Sequence, residues 1–221
     1  MKNLSLEPKS RDFHAWILLA ALMPILAGCF GATMVGVGAG ALMAADRRPS
    51  ETFVTDESIE LRAGNRISEA LGDRAHVNVT SYNRAVLLTG EVPDVAARSL
   101  IERIASGVPN VKALSNEVQV AGVSTLGARS NDAYITSKVK ARFIDANKFA
   151  VIHVKVVTEG GTVYLLGLVT QRESDEAVEI ARTTGGVQRV VRMFELISED
   201  DARQTDNRQA AGSTGSTGKR P

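Results

Sequence analysis

One thiol and three imidazoles are the side chains of this 221-residue chain best suited to covalent or metal chemistry. Their spacing builds no site. His14, His76 and His153 lie far apart, and no HExxH, CxxC or close histidine pair is present. His76 and His153 fall in or beside matching strand patterns, where a sheet-surface position is expected for both. No GxSxG elbow accompanies the many serines and threonines. No glycine-rich loop joins a strand to a helix in the phosphate-binding manner. The expectation is a non-enzyme without a metal. What remains is Cys29, between the apolar run Ala15–Ala27 and a glycine-rich stretch reaching Gly40. A lone cysteine forms no internal disulfide. Three fates are open to it: a buried structural thiol, a place in a membrane-spanning helix, or lipid attachment.

The flanking sequence separates these. Lys2, Lys9 and Arg11, diluted by Glu7 and Asp12, precede an apolar segment of signal-peptide length. No charge occurs between Ala15 and Ala45, which is long enough to cross a bilayer. Pro24, Gly28, Gly31, Gly36, Gly38 and Gly40 argue against a spanning helix. The apolar run ends in Leu26-Ala27-Gly28-Cys29, which resembles the lipobox of bacterial lipoproteins. The resemblance implies that residues 1–28 are a lipoprotein signal peptide. Cys29 would then carry a diacylglycerol, and an N-acyl chain such as palmitate on its freed amine. Several acyl chains anchor stably where one is marginal. Residues 29–55 would be the lipidated Cys and a small-residue tether. Phe30, not Asp, follows the cysteine, which in such lipoproteins implies export to the outer membrane, facing the periplasm. Asp46-Arg47-Arg48-Pro49-Ser50 marks the change to polar sequence.

Beyond the tether the chain repeats itself at an offset of about 76 residues, a spacing that suits two small domains. Ile59, Ala63, Ile67 and Ala70 predict one face of an amphipathic helix, and Ile135, Val139, Phe143 and Ala146 repeat it. Asp56, and Asn131 or Asp132, are the expected N-caps. Alternating strands follow, with Val77 and Val79 inward in the first copy and Ile152, Val154 and Val156 in the second. Short turns lead to "VLLTGEV" and "VYLLGLV", with Gly90 and Gly167 at matching places. A second helix carries Ile101, Ile104 and Ala105, or Ala177, Ile180 and Ala181. Each copy closes on a strand, "VKALSNEVQV" or "VQRVVRMFELI". The expected fold is α+β: two tandem α-β-β-α-β units, each a two-layer sandwich, with the first two strands antiparallel and the last reached by a parallel crossover. A core this small is modest, which leaves room for the copies to pack together.

The two glycines, the turns "GVPNV" and "GGVQRV", and "SNEV" in the first copy resemble the BON domain of bacterial periplasmic and membrane-associated proteins. "VRMFEL" in the second copy departs by lacking the Asn. The expected boundaries are 56–120 for the first domain, 121–130 for a linker and 131–197 for the second. Residues 198–221, rich in Ser, Thr, Gly and Gln, are expected to be a disordered tail. For a lipoprotein with paired BON units the resemblance implies binding of anionic phospholipid through the second unit. It also implies support of outer-membrane integrity, at the division site and under envelope stress. The alternative is a membrane-tethered interaction scaffold for envelope-assembly or cell-wall proteins.

With 26 basic and 25 acidic residues the chain has no bulk charge for nucleic acid. A local difference singles out the second copy. Where the first helix has Ser58 and Arg62 beside its apolar face, the second has Tyr134 and Lys138. Arg66 and Arg142 correspond. An aromatic ring beside cations suits a headgroup interface. Lys140 and Lys148 add charge, Asp145 subtracts some, and Ile144 points away from the expected core. The candidate lipid-binding residues are Tyr134, Ile135, Lys138, Val139, Arg142 and Ile144. A tyrosine that merely covers a core edge is the plainer reading of the same pattern.

Overall fold

A computed structural model describes residues 46–214, with side chains through 208. All of them belong to one unit, Ala41–Pro221. Cys29, Leu26, Ala27, Gly28 and the rest of the expected signal peptide and early tether lie outside the described residues.

Helix α1 (Ser50–Leu71) begins behind Pro49, whose carbonyl accepts from the Thr52 and Phe53 amides. It buries Ile59, Ala63, Ile67 and Leu71, a strict four-residue spacing. Ala70, expected inward, is exposed; the next residue, Leu71, takes the last core place. Strand β1 (His76–Tyr82) pairs antiparallel with β2 (Ala85–Val92). Helix α2 (Val95–Ser106), capped by the Asp94 side chain, then carries the chain to β3 (Ala113–Asn116) and β4 (Gln119–Val120). Both run parallel to β2. The expected last strand is therefore in two pieces. Asn116 explains the break: its side-chain oxygen accepts the Val118 amide at 3.3 Å while its amide nitrogen donates to the Arg98 carbonyl at 3.2 Å. Such a local side-chain bond competes with the ladder.

The second copy repeats the order. Helix α3 (Leu126–Ala146) is capped by Thr125 and ended by Asn147 in the left-handed region. Strands β5 (Val154–Glu159) and β6 (Thr162–Val169) are antiparallel. Helix α4 (Gln171–Arg182) opens with a capping box between Thr170 and Glu173. Strand β7 (Arg189–Leu196) pairs with β6 in parallel over its whole length, unbroken where the Asn is missing. Ile152 lies in a one-turn helix, Val151–His153, just before β5.

Asp56 and Asp132 do not start their helices. Each lies inside one, buried, and clamps the adjacent hairpin turn. Asp56 accepts the amides of Asn83 and Arg84 at 2.8 Å each. Asp132 accepts those of Gly160 and Gly161 at 2.9 Å each. These are the central residues of the β1–β2 and β5–β6 turns, all with positive φ, and a carboxylate fixes their otherwise orphaned amides. The helices start six residues earlier than the caps expected from sequence, so 121–130 is partly helix.

The strand β2 alternates sides. Val86 and Leu88 pack under α1 and α2, whereas Leu87 packs with Tyr82 against Tyr164 and Leu166 of the second sheet. Val163 and Leu165 face α3 and α4. The two sheets thus stack on each other and the helices cover the outer faces, giving four layers, α-β-β-α. Lys155 to Glu60 at 2.7 Å, Asn78 to Glu159 at 2.8 Å and Asn83 to Glu195 at 2.6 Å cross the junction.

The expectation of disorder from residue 198 is corrected over most of the segment. Helix α5 (Glu199–Thr214) follows Ser198, whose hydroxyl accepts the Asp201 amide at 3.0 Å. Glu199, Asp200 and Asp201 occupy its first turn, where acids complement the helix dipole. Its inner contacts are Ala202, which is buried, and Asp206, which meets Arg47. Residues 215–221 lie outside the described residues.

Candidate functional site

On α3 the core face and the outward face are both apolar in part, for different reasons. Ile135, Val139 and Phe143 are buried in the second core. Ile135 and Val139, at 1% and 0% exposure, therefore cannot be contact residues for a lipid, and that part of the sequence expectation is corrected. They belong to the same helix turns as the surface residues but face the other way. Tyr134 and Ile144 stand outward, 62% and 64% exposed.

Leu126, in the stretch expected to be linker, is 75% exposed. At 100° per residue it lies in line with Ile144, about five turns away, with Tyr134 about 80° round from both. The spacing of 8 and 10 residues carried that signal, but only for a helix begun at Leu126. In the first copy the matching positions are Ser50, Ser58 and Ser68. The outward apolar residues of α1 are instead Val54 and Leu61, on the opposite side of the four layers. The two copies have the same core and different outer faces.

The cations also sort themselves. The Lys138 ammonium lies 4.7 Å from the Tyr134 ring centroid and donates to the Gly185 carbonyl. Arg142 donates from one nitrogen to the Ile180 carbonyl and to the Thr183 and Thr184 hydroxyls, each at 3.0 Å. It closes the C-terminus of α4, where a cation meets free carbonyls and the negative dipole end. Both cations are half-buried and hold the α4–β7 turn against α3. Lys140 and Lys148 are exposed. Among the described residues no group of His, Cys, Asp and Glu could hold a metal, and no helix is long and apolar enough to cross a membrane.

A second cluster, unforeseen in the sequence, lies at the start of the described chain. Arg47, with a side chain 3% exposed, forks onto Glu173 at 2.6 and 3.0 Å and onto Asp206 at 2.9 and 3.0 Å, and donates to the Leu168 carbonyl at 3.0 Å. Arg48 pairs with Asp46 and, at 2.8 Å, with Asp56, and its guanidinium lies 4.0 Å from the Tyr82 ring centroid. Burial would raise the Glu173 carboxyl, but Arg47 and the Thr170 amide hold it below the usual range; Arg47 likewise lowers Asp206. Burial pushes the Tyr82 phenol up. His153, expected on a sheet surface, is buried here, its Nε2 3.8 Å from Asp206. An Arg-Arg-Pro run reads as solvated linker, so nothing local foretold that its charges would be buried.

Comparison with known proteins agrees with this architecture. The BON domain family matches residues 55–122 and 131–198. The outer membrane lipoprotein DolP of Haemophilus influenzae is 33% identical over 183 residues, covering 82% of this chain and 94% of that protein. A 21 kDa hemolysin of Actinobacillus pleuropneumoniae is 32% identical over 154 residues, 69% of this chain and 79% of that one. The osmotically-inducible protein Y of Escherichia coli is 30% identical over 146 residues, 62% and 71% of the two chains. With both halves of the sandwich matched in place, the chain belongs to the BON-domain family.

Proposed function

We propose that this protein is an outer-membrane lipoprotein, held by acyl chains on Cys29 and facing the periplasm. Its second BON domain contacts anionic phospholipid through the outward ridge of α3. In this role it supports outer-membrane integrity without catalysis. The observation that carries the reading is the substitution of serines 50, 58 and 68 by Leu126, Tyr134 and Ile144 at matching positions, beside Lys140 and Lys148. Similarity to an outer membrane lipoprotein over most of both chains supports the location.

Magnitudes fit an auxiliary contact. Each cation near an anionic surface contributes about 1 kcal/mol. Lys138 and Arg142 are already bonded to the α4–β7 turn, so Lys140 and Lys148 carry most of this. Full burial of a large apolar side chain contributes about 1.5–3 kcal/mol, and an interfacial residue gains part of that. The sum is weak for a free protein. Anchoring raises the effective concentration, so a weak contact suffices to orient the domain.

Flotation of a soluble form on phosphatidylethanolamine vesicles, with and without phosphatidylglycerol, tests the reading. Binding is expected only with the anionic lipid, several-fold weaker in Tyr134→Ala and Ile144→Ala and unchanged in Ser58→Ala. Equal binding to both vesicles, or full binding by Tyr134→Ala, rejects it and favours the scaffold alternative.

A further inference from the structure

Helix α5 has little of its own to keep it folded. It is 16 residues long and contains Gln, Asn, Thr, Asp and Gly. Isolated helices of that length and composition are marginal in water. Its described inward contacts are few: Ala202 is buried, Asp206 meets Arg47 and lies 3.8 Å from the buried His153, and Glu199 lies 3.7 Å from the exposed Arg172. Of that set Arg47 is the buried side chain that hydrogen-bonds Asp206, and it is already oriented by Glu173 and the Leu168 carbonyl. A preoriented guanidinium fork gives a carboxylate both strength and direction. The following residue, Arg48, is fastened to Asp56 of the first domain. Two adjacent arginines thus grip different domains, and the C-terminal helix closes over one of them.

We infer that Arg47 is a latch that joins the end of the expected tether to the C-terminal helix, so that α5 keeps its helix on the second domain only while Arg47 is seated. The partner of the latch is α5 of the same chain. The consequence for membrane binding rests on the proposed anchoring, since the latch would then set where the anchored chain leaves the domain that carries Tyr134. Arg47 in this scheme is a positioning residue and touches no lipid.

Hydrogen exchange on the full-length mature protein in detergent tests the latch without reference to any lipid preference. In Arg47→Ala, amides of Ala202–Arg208 are expected to exchange at least about ten-fold faster while those of Ile135–Phe143 keep their rates, as for a local opening. In Asp206→Asn the same helix is expected to loosen, and so is the Arg48–Phe53 stretch. Because Arg47→Ala leaves Glu173 buried without its cation, the double variant Arg47→Met/Glu173→Gln serves as a second test; Gln keeps the capping box and the same loosening of α5 is expected. Unchanged protection of α5 in Arg47→Ala and in the double variant overturns the latch.

The membrane consequence is read separately. Tyr134→Trp places one tryptophan in the mature chain, since Trp16 lies in the leader. On vesicles of phosphatidylethanolamine and phosphatidylglycerol with brominated acyl chains, its quenching is expected to fall at least about two-fold on adding Arg47→Ala, at equal membrane-bound protein. Equal quenching overturns the positioning role. Absence of quenching with Arg47 intact overturns the lipid-contact reading instead, and leaves the latch to the exchange result.

Discussion

At the scale of single residues, two aspartates and one glutamate decide more than their exposure suggests. Asp56 and Asp132 perform one task, clamping a hairpin turn, but only Asp56 also balances a buried arginine. Removing it leaves Arg48 with Asp46 as its one carboxylate partner and strands three donors, including the Ser81 hydroxyl at 2.7 Å. Asp56→Ala is expected to cost about 3–5 kcal/mol, against about 1–3 kcal/mol for Asp132→Ala, read as urea midpoints. Glu159 behaves oppositely. Burial and the neighbouring Glu91 raise its pKa in the fold, although Asn78 donates to it. A raised acid favours folding when protonated, so its contribution is greatest below the unfolded value and is lost as pH rises through the folded one. Glu159→Gln should therefore raise the melting temperature at neutral pH by about 2–4 °C, an increment that shrinks towards pH 4. Glu173 and Asp206 have lowered values, so their support is complete above the ordinary carboxylate range and fails as pH falls through the folded ones. Exchange protection of α5 should disappear in acid before that of α3.

At the scale of elements, the hairpins and crossovers follow from glycine placement as much as from apolar spacing. A β-carbon on Gly90 would lie 2.0 Å from the His76 carbonyl oxygen, and one on Gly167 would lie 2.3 Å from that of His153. Both contacts are with backbone, which cannot swing away, and Gly90 has φ of +109° besides. Gly90→Ala and Gly167→Ala should each cost about 3 kcal/mol or more, seen as loss of soluble yield or a large midpoint shift. These glycines were legible as a matched pair in the sequence, as were the core faces led by Ile59 and Ile135. The helix starts were not. Asp is a favoured N-cap, yet here it sits about one and a half turns inside, because its carboxylate serves a turn far along the chain rather than its own helix end. On α3 the period placed Tyr134 and Ile144 outward; Leu126 was hidden only because the helix was begun too late.

For the whole molecule, the decisive layer is between the sheets. "VLLTG" and "VYLLG" are apolar on both faces, and a strand with no polar side is one buried on two sides. That signal was present, yet it does not say which surface supplies the second cover. The structure answers with Tyr82, Leu87, Tyr164 and Leu166. Leu87→Ala or Leu166→Ala should cost about 2–5 kcal/mol, and calorimetry should show one transition in the parent splitting into two once the layer is weakened.

The buried arginine at position 47 has a mechanical consequence. Tension arriving from the N-terminal side meets the Glu173 and Asp206 fork before it reaches any strand or α1. Strain is thus delivered first to the domain that is second in chain order. Stretched in optical tweezers from residue 46, the protein should yield first through a small, low-force lengthening at this fork, with both sheets still intact.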